Sequence, residues 1–189
     1  MAENKTIWRG VIALIELHEI TKENLDDVLS LDVSEHQKAY VSSTAASLAQ
    51  AYVYRETAFP FAVYAENALV GFIMFGYYEA RNQYTLWKFL IDKKYQNKGY
   101  GKEALKQGIL YFKNTFHVKE IYTGVSIENE QAKYVYKSLG FMETGLVEDG
   151  MEELKFTIWW WYYKGMRIWI LQPDKSSQAG KCNYLKLLL

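Results

Sequence analysis

DKKYQNKGYGK, at residues 92–102, joins a predicted strand to a predicted helix through two glycines. The run before it is mostly apolar and predicts a buried strand, with Leu86, Phe89, Leu90 and Ile91. Apolar residues recur at helical spacing after it, at Ala104, Leu105, Ile109, Phe112 and Phe116. A helix N-terminus offers unpaired N–H groups, and glycines let a ligand approach the backbone closely. The junction therefore predicts an anion-binding site, reinforced by Lys93, Lys94, Lys98 and Lys102.

Composition limits the classes of protein that this chain can belong to. Its 189 residues are 50% hydrophobic, which predicts one globular unit with a full core. The formal net charge is zero, which argues against nucleic acid as a general partner. From residue 157 onward five basic residues and one acidic residue give a charge of +4, so residues 1–156 carry −4. A mildly acidic body suits a cationic small substrate.

The single cysteine, Cys182, excludes a disulfide framework and a cysteine zinc cluster, and it predicts a reducing, cytoplasmic setting. The three histidines, at 18, 36 and 117, show no ligand spacing, so no metal is expected. No apolar run reaches the roughly 18 residues of a membrane span, so no membrane partner is expected either.

The pattern along the chain predicts a mixed α/β (α+β) fold, in which helices cover the faces of a mixed sheet. Predicted strands lie at 12–20, 61–64, 69–78, after Tyr84, and at 119–126, 141–147 and 152–158. Predicted helices follow Thr21, Ser34 and Thr44, extend from the glycine turn to about residue 116, and cover 130–139. Gly71 and Gly76 inside one strand predict bulges or close packing.

Both ends of the chain are set apart from this domain, which we place at residues 11–158. Residues 1–10 are interpreted as an N-terminal extension. Residues 159–189 begin with four of the six tryptophans and turn polar and lysine-dotted. Amphipathic membrane contact is one interpretation of that run, but it lacks a clean helical or strand period. We interpret 159–189 as an atypical or non-native tail without an assigned function.

Three types of anion site fit a strand, a glycine turn and a helix. A P-loop requires glycine at position 96 and Ser or Thr at 103, where the chain has Gln96 and Glu103. The dinucleotide fingerprint is met by Gly99, Gly101 and Ala104, but these glycines do not follow the strand directly and an antiparallel hairpin precedes the unit.

The third type matches more residues. The segment Gln96-Asn97-Lys98-Gly99-Tyr100-Gly101-Lys102 resembles the Q/R-x-x-G-x-G/A element of the GNAT superfamily of acyl-CoA-dependent N-acetyltransferases. The family's later helix pattern is also present, in Asn129, Ala132, Tyr136, Gly140 and Phe141. The resemblance covers roughly 15–156 and implies a central mixed, mostly antiparallel sheet of about six to seven strands with helices on both faces. Residues 31–40 and the 61–75 hairpin look like bacterial spermine/spermidine (diamine) acetyltransferases.

The resemblance implies acetyl-CoA as cosubstrate and no metal. It assigns the cofactor pyrophosphate to the backbone of residues 98–102, with Gln96 and Asn97 starting the turn. It also implies that Asn129 contacts the cofactor, and that the strand before the turn splays from its neighbour so that Phe89 and Ile91 pair with the pantetheine arm. Buried unpaired backbone groups are costly, so that arrangement requires a ligand.

Tyr136 is the implied catalytic residue, because a phenol can give a proton to the departing thiolate. The attacking amine must lose a proton, since only about one lysine-like amine in a few thousand is neutral at pH 7. Related polyamine enzymes often carry a carboxylate where this chain has Trp87. Glu35, Glu79 and Glu128 are the remaining candidates for base or ammonium binding. An aromatic channel for the acceptor is predicted from Tyr40, Tyr77, Tyr78 and Trp87.

These features predict an N-acetyltransferase that moves acetyl from acetyl-CoA to a primary amine of spermidine, spermine or a diamine. Two alternatives stay open. One is a GNAT enzyme for another amine, such as a protein N-terminus, an aminoglycoside or an amino acid. The other is a non-catalytic acyl-CoA-binding module. A homodimer is implied by the resemblance alone.

Overall fold

A computed structural model of the chain describes residues 14–158 and the backbone of two short strands after them. The helices are α1 (Leu25–Leu29), α2 (Thr44–Val53), α3 (Tyr100–Phe116) and α4 (Glu130–Ser138), with 3-10 turns at Glu35–Gln37 and Glu79–Arg81. The strands are β1 (Ile15–Glu19), β2 (Ala58–Ala65), β3 (Ala68–Tyr78), β4 (Gln83–Ile91), β5 (Glu120–Ser126), β6 (Met142–Glu148), β7 (Met151–Thr157), β8 (Ile170–Gln172) and β9 (Asn183–Leu185).

The central sheet has seven strands in the order β1-β2-β3-β4-β5-β7-β6. Only β4 and β5 pair in parallel, and the other neighbours are antiparallel. The prediction of a mixed, mostly antiparallel sheet of six to seven strands is confirmed. Strands β8 and β9 form a separate antiparallel pair. The predicted extension at 1–10 and most of the predicted tail at 159–189 lie outside the described residues.

Helices cover both faces of the sheet, as predicted, and each face has its own core. On one face, Leu105 and Phe112 of α3 and Tyr136 of α4 pack with Ile73 and Phe75 of β3. On the other face, Val28 of α1 and Ala51 of α2 pack with β3 residues Phe72 and Met74. Because successive strand side chains alternate between faces, the almost uninterrupted apolar run of β3 contributes side chains to both cores.

The predicted hairpins and helices are present, with altered bounds. Strand β2 begins at Ala58, three residues before its predicted start. The first helix is shorter than predicted, and the turn after Ser34 is a 3-10 turn whose Gln37 Oε1 accepts from the Ser34 N–H at 3.1 Å. The terminal hairpin turns at Asp149 and Gly150, both with positive φ. No helix within the described residues is long and apolar enough to cross a bilayer.

Strand β4 contains a bulge that the sequence pattern did not predict. Its register against β3 shifts between Met74 and Phe75, which face Lys88 and Leu86. Trp87 is therefore the extra residue, and it shares a face with Lys88. The Trp87 ring lies directly on Gly76, where a Cβ would stand 2.0 Å from the ring, so the predicted close packing at this glycine is confirmed.

Candidate active site

A cavity of about 530 Å³ opens where β4 and β5 separate. The two strands pair only at Thr85 with Tyr122 and at Leu86 with Thr123, and then diverge toward their C-terminal ends. The glycine turn, α4 and the segment 40–42 complete the wall. The splayed strand that the family resemblance implied is present. We call the point of separation at Leu86 and Thr123 the fork.

The glycine turn brings the N-terminus of α3 to this cavity. Gly99 is the N-cap residue with φ +85°, a conformation that favours glycine, and the helix begins at Tyr100. The N–H groups of a first helical turn have no intrahelical partner, so their donors and the helix dipole face the cavity. Six of the predicted turn residues line the wall: Gln96, Asn97, Gly99, Tyr100, Gly101 and Lys102. Lys98 is exposed, and its ammonium lies 5.3 Å from the centre of the Tyr95 ring.

Gln96 ties the turn to two other elements. Its Nε2 donates to the Ile91 carbonyl at 2.9 Å and to Gln37 Oε1 at 3.0 Å. The Gln37 side chain in turn donates to Gln131 Oε1 of α4 at 3.0 Å. Phe89 and Ile91 line the cavity, but the Ile91 carbonyl already has a protein partner. The Ile91 carbonyl, one of the backbone groups predicted to pair with the pantetheine arm, therefore already accepts a hydrogen bond from Gln96.

Tyr136 lies at the fork, on the helix that Asn129 caps. The Asn129 side chain accepts from the Ala132 N–H at 3.1 Å, and both Asn129 and Tyr136 line the cavity. Tyr136 is only 8% exposed. Burial raises the pKa of its phenol to about 12, and a hydrogen bond with the Thr123 side chain opposes that rise. The phenol therefore stays protonated at neutral pH and is able to donate a proton.

The predicted acceptor-site residues separate into two groups. Tyr40 and Trp87 line the cavity. Glu35 is 85% exposed and paired with Lys38 at 2.6 Å, while Glu79 and Glu128 are exposed and do not line the cavity. The structure does not bring these carboxylates to the cavity.

The aromatic channel is likewise only half assembled. Tyr77 bonds to Asn82 at 2.5 Å near the far end of β3, and Tyr78 stacks with Arg81 at 5.8 Å. The remaining two members, Tyr40 and Trp87, do line the cavity. The Trp87 ring is directed at Gly76 and stands edge-on to Tyr54 at 5.8 Å.

The cavity residues that were not predicted as site residues from the sequence include Gln37, Ser42, Lys88, Thr123 and Gln131. Lys88 is half-buried, and its Nζ bonds to Ser42 Oγ at 3.1 Å. Thr123 lies in a strand of mixed polarity, EIYTGVS at residues 120–126, so its sequence context does not single it out. The described part of the chain has no cluster of three or more metal-ligating side chains.

Known proteins share both the sequence and the architecture of this chain. The spermine/spermidine N(1)-acetyltransferase of Bacillus subtilis (strain 168) is 32% identical over 149 residues, which is 74% of this chain and 95% of that protein. Spermidine N-acetyltransferase from Vibrio cholerae, solved with CoA and spermine, aligns at 19% identity with a TM-score of 0.62 over 76% of this chain and 95% of that one. A dodecameric structure of spermidine N-acetyltransferase from Vibrio cholerae aligns at 16% identity with a TM-score of 0.57, covering 76% and 93%.

At these identities the solved structures support the fold, and the sequence match supports the family. Residues 23–141, more than half of the chain, match the acetyltransferase (GNAT) family. That segment contains the glycine turn, the fork and the buried tyrosine of α4. On the strength of this match and of the 32% identical relative, the chain belongs to the acetyltransferase (GNAT) family.

Proposed function

We propose that this chain transfers the acetyl group of acetyl-CoA to a primary amine of spermidine, spermine or a diamine. As a GNAT acetyltransferase, it uses acetyl-CoA as its cosubstrate. The observation that carries the reaction type is a buried phenol at the fork, at the inner end of a cavity whose other end is a helix N-terminus. The substrate class rests on the Bacillus subtilis relative, because this chain matches 95% of that protein's length.

The cofactor fits this cavity in one direction. The pyrophosphate lies against the first turn of α3, where backbone donors and the dipole favour negative charge. The pantetheine arm follows Phe89 and Ile91 along the edge of β4 that β5 leaves unpaired. The thioester then reaches the fork beside Tyr136. At Gly101 a Cβ would stand 3.5 Å from the Phe89 and Ile91 side chains, which is an ordinary van der Waals distance between α3 and β4.

Transfer proceeds by direct attack. The neutral amine nitrogen bonds to the thioester carbon, the C–S bond breaks, and the thiolate sulfur accepts a hydrogen bond and then a proton from Tyr136. The domain has no cysteine to form an acyl-enzyme, since Cys182 lies beyond it. A thiol pKa near 8.5 makes complete proton transfer from a phenol of pKa about 12 uphill by about 5 kcal/mol. We therefore propose that the proton lost by the attacking nitrogen passes to the Tyr136 oxygen, so that no free tyrosinate accumulates.

A panel of amines with free-thiol detection tests the function. We expect acetyl-CoA to release thiol faster with spermidine, spermine and diamines than with peptides, aminoglycosides or amino acids. A peptide N-terminus is the second candidate, because the described cavity wall carries no carboxylate for an ammonium and an α-amino group, with a pKa near 8, loses its proton more easily. Preference for the peptide would favour that candidate. Binding of acetyl-CoA without thiol release from any amine would identify a non-catalytic module.

We also propose that the enzyme is a homodimer in a reducing, cytoplasmic setting. All seven residues of β6, the outermost strand of the sheet, are exposed, including Met142, Leu146 and Val147. Such an edge is suited to cover by a second copy. Light scattering at micromolar concentration is expected to give about twice the chain mass of 22.1 kDa, and a monomeric mass or a larger multiple would contradict the proposal.

A further inference from the structure

Lys88 occupies an unusual place for a charged side chain. The β4 bulge turns it, together with Trp87, away from α3 and toward the segment 40–42 that bounds the cavity. It is half-buried, and its Nζ bonds to Ser42 Oγ at 3.1 Å. Among the described residues no carboxylate forms an ion pair with it.

The groups around Lys88 leave its charge uncompensated. Its partner on β3 is Met74, and the 40–42 segment contributes Tyr40 and Ser42, neither of which is a carboxylate. The other titratable side chains of the described wall are Lys102 and the phenols of Tyr95, Tyr100, Tyr134 and Tyr136. No carboxylate or imidazole belongs to that part of the wall.

Lys102 and Lys88 lie at different ends of the cavity. Lys102 lies in the first turn of α3, with its Nζ 5.2 Å from the centre of the Tyr134 ring, so it stands near the cofactor phosphates. Lys88 lies two residues from Leu86 of the fork. The cofactor enters from the glycine turn, so the acceptor must approach the thioester from the remaining side, which Lys88 and the segment 40–42 bound.

We propose that Lys88 selects and activates the acceptor, because its ammonium keeps a second positive charge out of the cavity and makes the reacting amine bind in its neutral form. This inference rests on the proposed function. A nearby ammonium favours the neutral form of another amine, so it does part of what a general base would otherwise do. The remaining ammoniums of a polyamine then stay outside, toward solvent.

The expected size of the effect is measurable. Two unit charges about 6–12 Å apart at an effective dielectric constant of about 20 change an amine pKa by about one to two units. The direction is downward, because the charged form of the amine is the one that Lys88 repels. At pH 7 this increases the neutral fraction of the bound acceptor by about 10–100-fold.

Single-turnover acetyl transfer to saturating spermidine, measured from pH 6 to 10.5, tests the inference. For Lys88→Met we expect the rising limb of the rate–pH profile to move about one to two pH units higher. The rate should fall about 10–100-fold at pH 7 and recover toward the wild-type plateau at high pH. Lys88→Arg, which keeps the charge, should retain the wild-type limb. Ser42→Ala breaks the hydrogen bond but keeps the charge, so it should also leave the limb in place.

A limb that is unmoved in Lys88→Met, or equally moved in Ser42→Ala, overturns the inference and leaves only a packing role. A binding measurement distinguishes this failure from failure of the proposed function. Calorimetric titration of spermidine into the enzyme–CoA complex, in buffers of different ionisation enthalpy, should show proton release that decreases in Lys88→Met. Equal proton release overturns the role of Lys88. Absence of acetyl transfer by the wild type would instead overturn the function.

Discussion

Gly99→Glu is expected to weaken acetyl-CoA binding at least 100-fold in calorimetry, with loss of all turnover at micromolar cofactor. Gly99 is the N-cap of α3, and the positive end of this helix faces the cavity. A carboxylate at that position meets the same N–H groups that a phosphate requires. Two like charges about 5 Å apart at an effective dielectric constant of about 20 repel by about 3 kcal/mol, which corresponds to more than 100-fold in affinity.

Gly145→Glu is the matched control. Gly145 has φ +86° against +85° for Gly99, and at both positions a Cβ would meet nothing within 4 Å. Both substitutions therefore add the same charge and the same left-handed strain of roughly 1–2 kcal/mol, but Gly145 lies on the edge strand β6 and outside the cavity wall. Similar losses of stability with loss of affinity only in Gly99→Glu would support the anion site. Retained affinity in Gly99→Glu would contradict it.

The glycine turn was predictable because its signals are local. A buried strand, two glycines and a helix with apolar periodicity lie within about thirty residues of sequence, and each is determined by backbone and neighbour interactions. The same holds for the Asn129 cap and for the hairpin turn at Asp149 and Gly150, whose positive φ values follow from the residue types.

The acceptor side of the cavity was not predictable, because it depends on a β-bulge. One inserted residue reverses the face of the sheet to which all later side chains of the strand point. In a regular strand Trp87 and Lys88 point to opposite faces, whereas the β4 bulge places them on the same face. A period-two pattern contains no signal for a bulge. Lys88 was therefore read only as part of an apolar strand, although it borders the cavity.

The three candidate carboxylates for the acceptor site do not line the cavity, and the reason differs from that at Lys88. The positions of Glu35, Glu79 and Glu128 depend on how loops pack against a sheet assembled from distant segments, and each is exposed and does not line the cavity. Trp87 was flagged for standing where related enzymes carry an acid. Its ring packs onto Gly76, so the volume that an acid could use is filled with an indole. Within the described residues, the wall is left without a base, which is what makes the charge of Lys88 consequential.

Tyr136→Phe is expected to reduce single-turnover transfer about 100–1000-fold while changing the Kd for acetyl-CoA less than about twofold. Phenylalanine keeps the ring contact with Phe141, whose centre lies 5.5 Å away, so α4 retains its packing. The lost atom is the proton donor to the departing sulfur, and positioned acid catalysis contributes about 10²–10⁴ in rate. Tyr111→Phe is the control, because Tyr111 is a half-buried phenol whose pKa is also raised by burial, on α3 and outside the cavity wall.

The pH dependence separates this loss from the loss at Lys88. Because the pKa of Tyr136 is raised to about 12, its protonated form predominates from neutral pH up to that value, and the wild-type rate should show no falling limb from this group below about pH 10. Tyr136→Phe should therefore lower the whole profile by a constant factor, whereas Lys88→Met should displace the rising limb and spare the plateau. Turnover that stays within threefold of wild type in Tyr136→Phe, or falls equally in Tyr111→Phe, would remove Tyr136 from the reaction and make water the donor to the thiolate.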